Sequence, residues 1–350
     1  MNIFGEIIKA SVNAPSGDNS QPWQFKVREN KIYVYNLAER DIPFYNYEQK
    51  GSYIAHGCII ENIKIVATSY GYETNVSLFP DEHDRNLVAV LDLIKKDIEI
   101  DELNDFVSLR CTNRKPYEDK MLTGKQKEEL LSAVKEIGFG ELKLIEDEKE
   151  KRVIVRVSGI NEKIVLTVKK LHNIFFHHTV WSKREELEKK TGLYVKTLEM
   201  NPVVTAIFKA FSHWPVMKFF SYLGFHKIVA NENAKVYVKS AVIGAILIDD
   251  NSIQSFVKAG RLFERIWLKA TKMGLSLHPV TGALFFMQRI MGGETEGFTV
   301  KQVEEVKMAY STICKFYNAK DKIIPLLFRV GYGGEPSDRS SKMEPKIIFE

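Results

Sequence analysis

Two segments of the chain share one spaced pattern. They are GCIIENIKIVATSYG, residues 57–71, and GRLFERIWLKATKMG, residues 260–274, and both read G-x3-E-x5-A-T-x2-G with apolar residues at matching positions. Each predicts an apolar helix that ends at a glycine, because glycine adopts at little cost the left-handed backbone that often closes a helix. The repeat constrains the fold more than any other feature, since it predicts two copies of one unit.

The segments around the two copies also agree in order. An amphipathic helix is predicted before each copy, at 3–12 and 125–134, and a strand-like run after each copy, at 87–94 and 324–332. Each half therefore reads as helix, loop, strand, core helix and strand. This order predicts an α+β fold in which a similar layer forms twice.

The two halves differ in their special segments. We place the seam near residue 105, with half one at 1–105 and half two at 106–350. Half one alone has the polar loop APSGDNSQPWQF, residues 14–25, and half two alone opens with SLRCTNRKPY, residues 108–117. Half two also contains an insertion, at about 172–235, that is rich in aromatic and basic residues. The two copies thus divide their features between them.

Composition narrows the class of protein. The 350 residues are 45% hydrophobic and 27% charged, which is enough for one large or two medium domains. The net charge of +5 is mild and its basic residues are mixed with acidic ones, so nucleic acid is not favoured as a partner. Three separated cysteines, no metal-ligand spacing and no signal-peptide pattern at the N-terminus predict a cytoplasmic protein without a metal site.

The polar loop at 14–25 has two readings. Its Asn and Gln amides both donate and accept hydrogen bonds, which suits the edge of a heterocycle. Its two prolines stiffen the loop and lower the entropy cost of ordering it around a ligand. The alternative is a helix-to-strand connection that buries Trp23.

Two further segments suit an anionic or polar ligand. Arg110, Thr112 and Arg114 alternate in LRCTNRKPY, so an extended backbone would place them on one face, where they suit a phosphate or carboxylate. The alternative is a solvated loop before a helix. The turn in HPVTG, 278–282, offers backbone N–H groups to a ligand or serves as a turn only. The chain has no GxGxxG and no Walker A motif, so no dedicated dinucleotide fold is predicted.

These motifs match a known family. The loop at 14–25 resembles the A-P-S-x-x-N-x-Q-P-W-x-F signature of the nitroreductase flavoprotein superfamily. R-C-T-N-R, residues 110–114, resembles its R-x-S-x-R phosphate motif, and the closing R-V-G-Y-G…P-x-x-R-S resembles its C-terminal end. The tandem arrangement is similar to the Acg-like branch. The resemblance covers most of the chain except the insertion. It implies two nitroreductase-like halves that form a pseudo-dimer in one chain, each a mixed sheet with packed helices.

The resemblance also implies a cofactor site. Family members are usually homodimers that bind FMN at the subunit interface, so the divided motifs of this chain imply one FMN site between its halves. The arginines and the threonine would take the phosphate, the Q-P-W loop would follow the ribityl chain and ring, and the turn would offer N–H to flavin N5. The residues so assigned are Pro15, Ser16, Asn19, Gln21, Arg110, Thr112, Arg114, Pro279, Val280, Thr281, Gly282 and Arg339. Candidates for the cationic contact to the pyrimidine edge are Lys163, Lys169 and Lys170.

By the same resemblance, the chain is expected to be an FMN-dependent oxidoreductase. Electrons would pass from NAD(P)H through the flavin to a small acceptor, and no catalytic side chain is assigned because the cofactor carries the chemistry. The turn HPVTG lacks the acidic residue that many active nitroreductases have there, which favours an acceptor other than a nitro compound. The chain would be a monomer with an internal pseudo-dimer, and further dimerisation is left open.

Two alternatives remain. One is a flavin-binding or flavin-sequestering protein with little turnover, in which the insertion forms a lid over the flavin, most directly through residues 200–226. The other, which we favour least, is a membrane-surface protein that uses the insertion as an interfacial helix.

Overall fold

The computed structural model describes residues 2–41 and 44–350. The helices are α1 Ile3–Ser11, α2 Lys50–Ser69, α3 Gly124–Ile137, α4 Glu148–Ser158, α5 Ile160–Thr167, α6 Lys169–His177, α7 Lys183–Lys189, α8 Pro202–Phe211, α9 Trp214–Tyr222, α10 Phe225–Val238, α11 Ile253–Lys272, α12 Gly282–Met291 and α13 Val300–Phe316. The strands are β1 Trp23–Arg28, β2 Lys31–Asn36, β3 Tyr72–Leu78, β4 Leu87–Lys95, β5 Glu141–Ile145, β6 Thr179–Val180, β7 Leu193–Tyr194, β8 Val242–Ile248, β9 Ser276–Pro279, β10 Ile323–Gly331 and β11 Ile347–Phe349.

Two main sheets have the same strand order. The first is β11-β1-β2-β4-β3 and the second is β5-β8-β10-β9, with a small parallel pair of β6 and β7 elsewhere. Without β11, the neighbours in both sheets are antiparallel and the strands occur in the same order along the chain. The predicted α+β class is confirmed. The sequence pattern predicted one strand on each side of a core helix, whereas the structure has two on each side of α2 and of α11. Of these pairs, β1 and β2 are joined by a tight turn at Glu29 and Asn30.

The two copies of the repeat are the core helices α2 and α11, which cross at their first glycines. A Cβ atom on Gly57 would lie 2.0 Å from the carbonyl oxygen of Val257, and one on Gly260 would lie 2.0 Å from that of Ile54. The two backbones are therefore in direct contact at the crossing. The closing glycines, Gly71 and Gly274, have φ values of 74° and 69°, so the predicted left-handed helix ends are confirmed.

One hydrophobic core holds both halves. Buried side chains of the first sheet, such as Phe25 and Leu91, belong to the same cluster as Phe328 of the second sheet. Ile59 of α2 and Ile266 of α11 lie in that cluster and are fully buried. One face of each sheet packs on this shared core, so neither half would bury that face alone. The second sheet buries its opposite face in a separate cluster that includes Ile243, Leu247 and Leu327.

The C-terminal arm ties the second sheet to the first. After β10 ends at Gly331, the chain runs to β11, which pairs in parallel with β1 with Phe25 opposite Ile347. The first sheet is therefore mixed. The second is antiparallel apart from an isolated parallel bridge between Thr112 and Leu277.

The halves differ most between the first two strands of each sheet. Two residues separate β1 from β2, whereas residues 146–241 separate β5 from β8. The long segment contains α4 to α10 and the β6–β7 pair, and the predicted insertion at 172–235 falls within it.

Candidate functional site

The segment at 110–114 lies at the edge of the second sheet. Thr112 bridges to Leu277 of β9, and the backbone N–H of Asn113 donates to the Leu277 carbonyl at 3.1 Å. The Asn113 side-chain amide donates to the Gly334 carbonyl at 2.7 Å. These bonds fix the segment between β9 and the C-terminal arm, as an extended piece of chain.

The amides of the Q-P-W loop bind other parts of the protein. Gln21 is 1% exposed, its Oε1 accepts from the Met343 N–H at 2.9 Å, and its Nε2 donates to the Lys190 carbonyl at 2.8 Å. Asn19 Nδ2 donates to the carbonyls of Lys190 and Ser341, each at 2.9 Å. Both amides thus hold the loop to the insertion and to the C-terminal arm.

The loop has a fixed and unusual backbone. Asp18, Asn19 and Gln21 have φ values of 44°, 55° and 49°, a left-handed conformation that costs free energy in residues other than glycine. The hydroxyl of Ser16 accepts from the Gln21 N–H at 3.0 Å and closes the loop on itself. Trp23 is also buried, at 2% exposure, so the loop is both a shaped feature and the entry to a buried strand.

Arg110 is buried in the core, with 4% of its surface exposed. Its Nε lies 3.3 Å from Glu264 Oε1, and its guanidinium lies 4.4 Å from the centre of the Trp267 ring. Its Nη2 donates to the Asn13 carbonyl. Glu264 is the glutamate of the second repeat, so this arginine ties the 110–114 segment to the core helix α11.

Arg114 has different partners. Its Nη1 donates to the backbone carbonyl and the hydroxyl of Thr197, at 3.2 and 3.3 Å. Tyr237 and Asp18 are ionisable neighbours that interact electrostatically with its guanidinium. In the part of the chain that the structure describes, no carboxylate lies within ion-pair distance of this guanidinium. Arg114 is therefore the arginine of the motif that keeps free donors.

Arg114 and Asp18 of the loop belong to one group of six ionisable side chains that interact electrostatically. We call this group the polar cleft: Asp18, Tyr45, Arg114, Glu162, His178 and Tyr237. They come from both halves and from the long segment between β5 and β8.

Asp18 is the acidic group that the loop contributes to the polar cleft. Its carboxylate makes no hydrogen bond to any residue within the described ranges, while its backbone carbonyl accepts from the Gly192 N–H at 2.8 Å. Burial raises the pKa of Asp18, and the nearby His178 and Arg114 oppose that rise. A carboxyl group held in this way retains its proton to a higher pH than an exposed aspartate.

Other members of the polar cleft are also desolvated. Burial raises the pKa of Tyr45 and of Tyr237, and the charge of Glu162 adds to both shifts. Burial raises the pKa of Glu162 as well, although Asn233 donates to its Oε1 at 2.9 Å. Electrostatic interactions in such a setting are stronger than at the surface.

Arg329 is a buried cation near the polar cleft that sequence reasoning missed. It is 0% exposed in β10, its Nε donates to His278 Nδ1 at 3.1 Å, and its Nη2 donates to the Lys115 carbonyl at 2.8 Å. The guanidinium lies 3.9 Å from the centre of the Tyr117 ring, and its Nη1 has no partner in the described residues. An arginine inside the apolar run IPLLFRVGY was the signal available in the sequence.

The charge of Arg329 helps to lower the pKa of its neighbour His278. Burial lowers the pKa of His278 well below its usual value, and the charges of Arg329 and Arg114 lower it further. His278 is thus neutral at physiological pH and accepts the arginine's hydrogen bond.

The turn at 279–282 connects β9 to α12. Val280 donates its N–H to the Leu327 carbonyl at 2.7 Å, and Thr281, the cap of α12, makes no side-chain capping bond. The N–H of Gly282, the first residue of that helix, has no hydrogen-bond partner among the described residues. A Cβ atom on Gly282 would lie 2.4 Å from Asn161 Oδ1, so a larger residue there would require the Asn161 side chain to move.

The remaining candidate residues from the sequence lie in three different settings. Arg339 reaches the start of the 110–114 segment, where its Nη1 donates to the Leu109 carbonyl at 3.0 Å. Pro15 is half-buried in the loop. Lys163 lines a separate pocket, and Lys169 and Lys170 are exposed.

The insertion covers the loop through its first part. Lys190, Gly192 and Thr197 make the bonds to the loop and to Arg114 described above. No hydrogen bond in the described part of the chain joins residues 200–226 to the Q-P-W loop. The hydrogen bonds from the insertion to the loop and to Arg114 are therefore made by residues 190–197, and the lid at 200–226 stays a prediction.

Comparison with known proteins gives distant relatives. No protein-family model matches the chain. It is 21% identical over 285 residues to an uncharacterised protein of Mycobacterium tuberculosis, which covers 79% of this chain and 38% of that protein. It is 23% identical over 122 residues to Acg of the same organism, which carries the provisional name NAD(P)H nitroreductase; this covers 33% of this chain and 37% of Acg. The alignments thus span less than two fifths of each relative. The resemblance to the Acg-like branch is confirmed by the second relative.

Solved structures give similarities at low identity. An FMN-dependent nitroreductase from Clostridium difficile aligns with a TM-score of 0.34 at 14% identity, over 70% of this chain and 97% of that one. The FMN-dependent nitroreductase NfnB from Mycobacterium smegmatis, solved in complex with NADPH, aligns with a TM-score of 0.37 at 8% identity, over 67% of this chain and 89% of that one.

Proposed function

We propose that this chain is an FMN-dependent oxidoreductase that passes electrons from NAD(P)H to a small acceptor. The observation that carries the proposal is the meeting of distant segments around one polar cleft. The Q-P-W loop, the 110–114 segment and the C-terminal arm are joined by direct hydrogen bonds, and β9 leads from them into the 279–282 turn. These are the motifs that carry the resemblance to flavoproteins, and the sequence relative named as a nitroreductase supports the same activity.

The proposal includes an internal pseudo-dimer. The two sheets have equivalent strand order, and the first glycine of each repeat lies at the crossing of the core helices. Both features support a seam near residue 105 between half one, 1–105, and half two, 106–350. Because each motif occurs in one half only, the pseudo-dimer would hold one flavin.

The donors available suit the phosphate of FMN. Arg114 keeps free guanidinium N–H groups, Thr112 is half-buried beside it, and Arg339 lies at the start of the same segment. Arg110 is already paired with Glu264, so we assign it a smaller share of phosphate binding. Arginine and hydroxyl donors are the usual partners of a phosphate dianion.

The ring would lie toward the 279–282 turn. The free N–H of Gly282 is the donor that we assign to flavin N5, beside Pro279, Val280 and Thr281. Pro15 and Ser16 would line the loop side, and the bonds of Asn19 and Gln21 would keep that side rigid. A bound flavin would supply the hydride and electron chemistry.

The chain's own residues would set the electrostatics of the cleft. Arg114 and Arg329 hold positive charge in a desolvated environment, which favours negative charge on a bound ring. Asp18 would hold a proton in the polar cleft, because its burial raises its pKa. Residues 190–197 exclude water from one side.

Stopped-flow spectroscopy tests the activity. The FMN-reconstituted protein is mixed with NADH or NADPH without oxygen, and the flavin absorption band is followed. We expect the band to bleach with at least one donor. Bound FMN that neither donor reduces would overturn the oxidoreductase proposal in favour of flavin sequestration, and failure to bind FMN would overturn the cofactor assignment.

A further inference from the structure

The later part of the insertion exposes large apolar side chains. Tyr222 is 82% exposed, Val203 is 69% exposed and Leu223 is 66% exposed. Together with neighbours on α8, α9 and α10 they form what we call the apolar face: Val203, Ile207, Phe219, Tyr222, Leu223 and Ile228. Large exposed apolar patches on soluble proteins usually mark an interaction surface.

Helical spacing aligns these side chains. Phe219 and Tyr222 are three residues apart on α9, and Val203 and Ile207 are four apart on α8, so each pair lies on one side of its helix. On α9 the opposite side is apolar too, since Met217 is buried in a cluster with Leu166 and Phe176. A helix that is apolar all round is ordinarily covered on every side.

The charge of this region has one sign. Residues 200–231 contain no Asp or Glu. Lys209, Lys218 and Lys227 are exposed, and none of them has an ion-pair partner among the described residues. The helices that carry the apolar face thus have unpaired positive charge and, through residue 231, no negative charge.

A basic pocket adjoins the apolar face. It has a volume of about 300 Å³, and its lining includes Lys163, His226, Lys227 and Lys301, with Glu305 as its acidic residue. His226 and Lys227 lie in sequence between Leu223 and Ile228 of the apolar face. His226 Nδ1 has no hydrogen-bond partner within the described ranges.

The field in the pocket is positive. Burial lowers the pKa of His226, and the charges of Lys227 and Lys163 lower it further, while Glu305 acts weakly in the other direction. A pocket of this size and charge suits a phosphate group.

We propose that this face of the insertion docks on a membrane surface that contains anionic phospholipids. The apolar face would enter the boundary between headgroups and acyl chains, the lysines would meet the negative surface, and the basic pocket would take a headgroup phosphate. Docking would be peripheral, since no helix in the described part of the chain is long and apolar enough to cross a membrane. This proposal stands independently of the flavin site.

Charge favours a lipid surface over a second copy of the chain. In a two-fold contact, Lys209, Lys218 and Lys227 of one copy would approach the same residues of the other. The surrounding segment offers no carboxylate to pair with them. An anionic membrane supplies the opposite charge directly.

Vesicle co-sedimentation tests the proposal. The full chain is mixed with phosphatidylcholine vesicles with and without phosphatidylglycerol. We expect the protein to pellet with the anionic vesicles, and to be released by salt. The variant F219S/Y222S/L223S should weaken binding by about tenfold or more, because three apolar side chains no longer enter the lipid. The variant K163E/K301E should weaken binding to anionic vesicles specifically.

Two variants on α13, outside the apolar face and the basic pocket, serve as controls. Met308→Ser removes an apolar side chain that is 69% exposed on α13, and Lys315→Glu reverses an exposed charge there; both should pellet like wild type. Circular dichroism checks that each variant is folded, and Tyr222→Ser alone is the fallback. No pelleting with anionic vesicles, or equal losses for face and control variants, would overturn the proposal. The proposal would also be overturned if the wild-type protein bound no vesicles but formed a dimer in solution that F219S/Y222S/L223S dissociates. A second copy of the chain would then cover the apolar face.

Discussion

Arg110 and Glu264 form an ion pair inside the core, with Nε 3.3 Å from Oε1 and side chains that are 4% and 0% exposed. The pair joins the predicted phosphate motif to the glutamate of the second repeat. The two arginines of that motif therefore have separate tasks: Arg110 stabilises the fold, and Arg114 remains available to a ligand.

Removing Arg110 should destabilise the protein. Above about pH 7, where Glu264 is charged, Arg110→Met leaves its carboxylate buried without a partner, which typically costs about 3–5 kcal/mol. Urea unfolding measures the loss, with Arg152→Met, an exposed arginine on α4, as the control that should unfold like wild type. Wild-type stability of Arg110→Met would show that the pair does not hold the core.

Removing Arg114 should weaken FMN binding instead. We expect Arg114→Ala to cost roughly 2–5 kcal/mol of FMN affinity, because a buried dianion loses a charged partner. Fluorescence titration measures FMN and riboflavin side by side. Riboflavin, which lacks the phosphate, should bind weakly and respond little to the substitution; equal losses for both ligands would mean that Arg114 has a structural role only.

Stability should depend on pH through Glu264. Burial raises the pKa of Glu264 from 4.5 to about 7, so the folded state binds its proton more tightly than the unfolded chain does. The free energy of unfolding therefore gains a component that falls as pH rises from about 4.5 to about 7. Glu264→Gln should remove that component, which urea unfolding across this window would detect. Glu232→Gln, at an exposed site on α10, is the control. An unchanged pH slope in Glu264→Gln would contradict the assignment.

The glycines at the crossing of the core helices should not tolerate a methyl group. Alanine ordinarily stabilises a helix relative to glycine by about 1 kcal/mol. At Gly57 or Gly260 the new Cβ would meet backbone at 2.0 Å, so α2 and α11 would have to separate. Overpacking of this kind typically costs about 1–3 kcal/mol or more, which thermal unfolding would measure. Gly124→Ala, with nothing within 4 Å, is the matched control and should be neutral or slightly stabilising.

Local patterns predicted the two core helices, but not β9, which positions the 110–114 segment. The repeat marks the two core helices because its glycines are needed at one crossing and its glutamates are buried beside it. The motif residues Asn19, Gln21 and Arg114 were singled out because amides and guanidinium groups suit a polar ligand.

What those residues bind could not be predicted from local patterns. The amides of Asn19 and Gln21 bond to Lys190, Ser341 and Met343, which are far away in sequence, and only the folded insertion and arm bring them there. Asp18 occupies a variable position of the loop motif, so the pattern gave it no role. The separate task of Arg110 depends on Glu264 across the fold.

The flavin content of the purified protein tests the central claim most directly. The protein is reconstituted with FMN and freed of unbound cofactor, and the flavin released on denaturation is quantified per chain. A single cleft between complementary halves predicts one FMN per chain. Two FMN per chain would contradict the single shared site, and none would contradict the assignment of the cofactor.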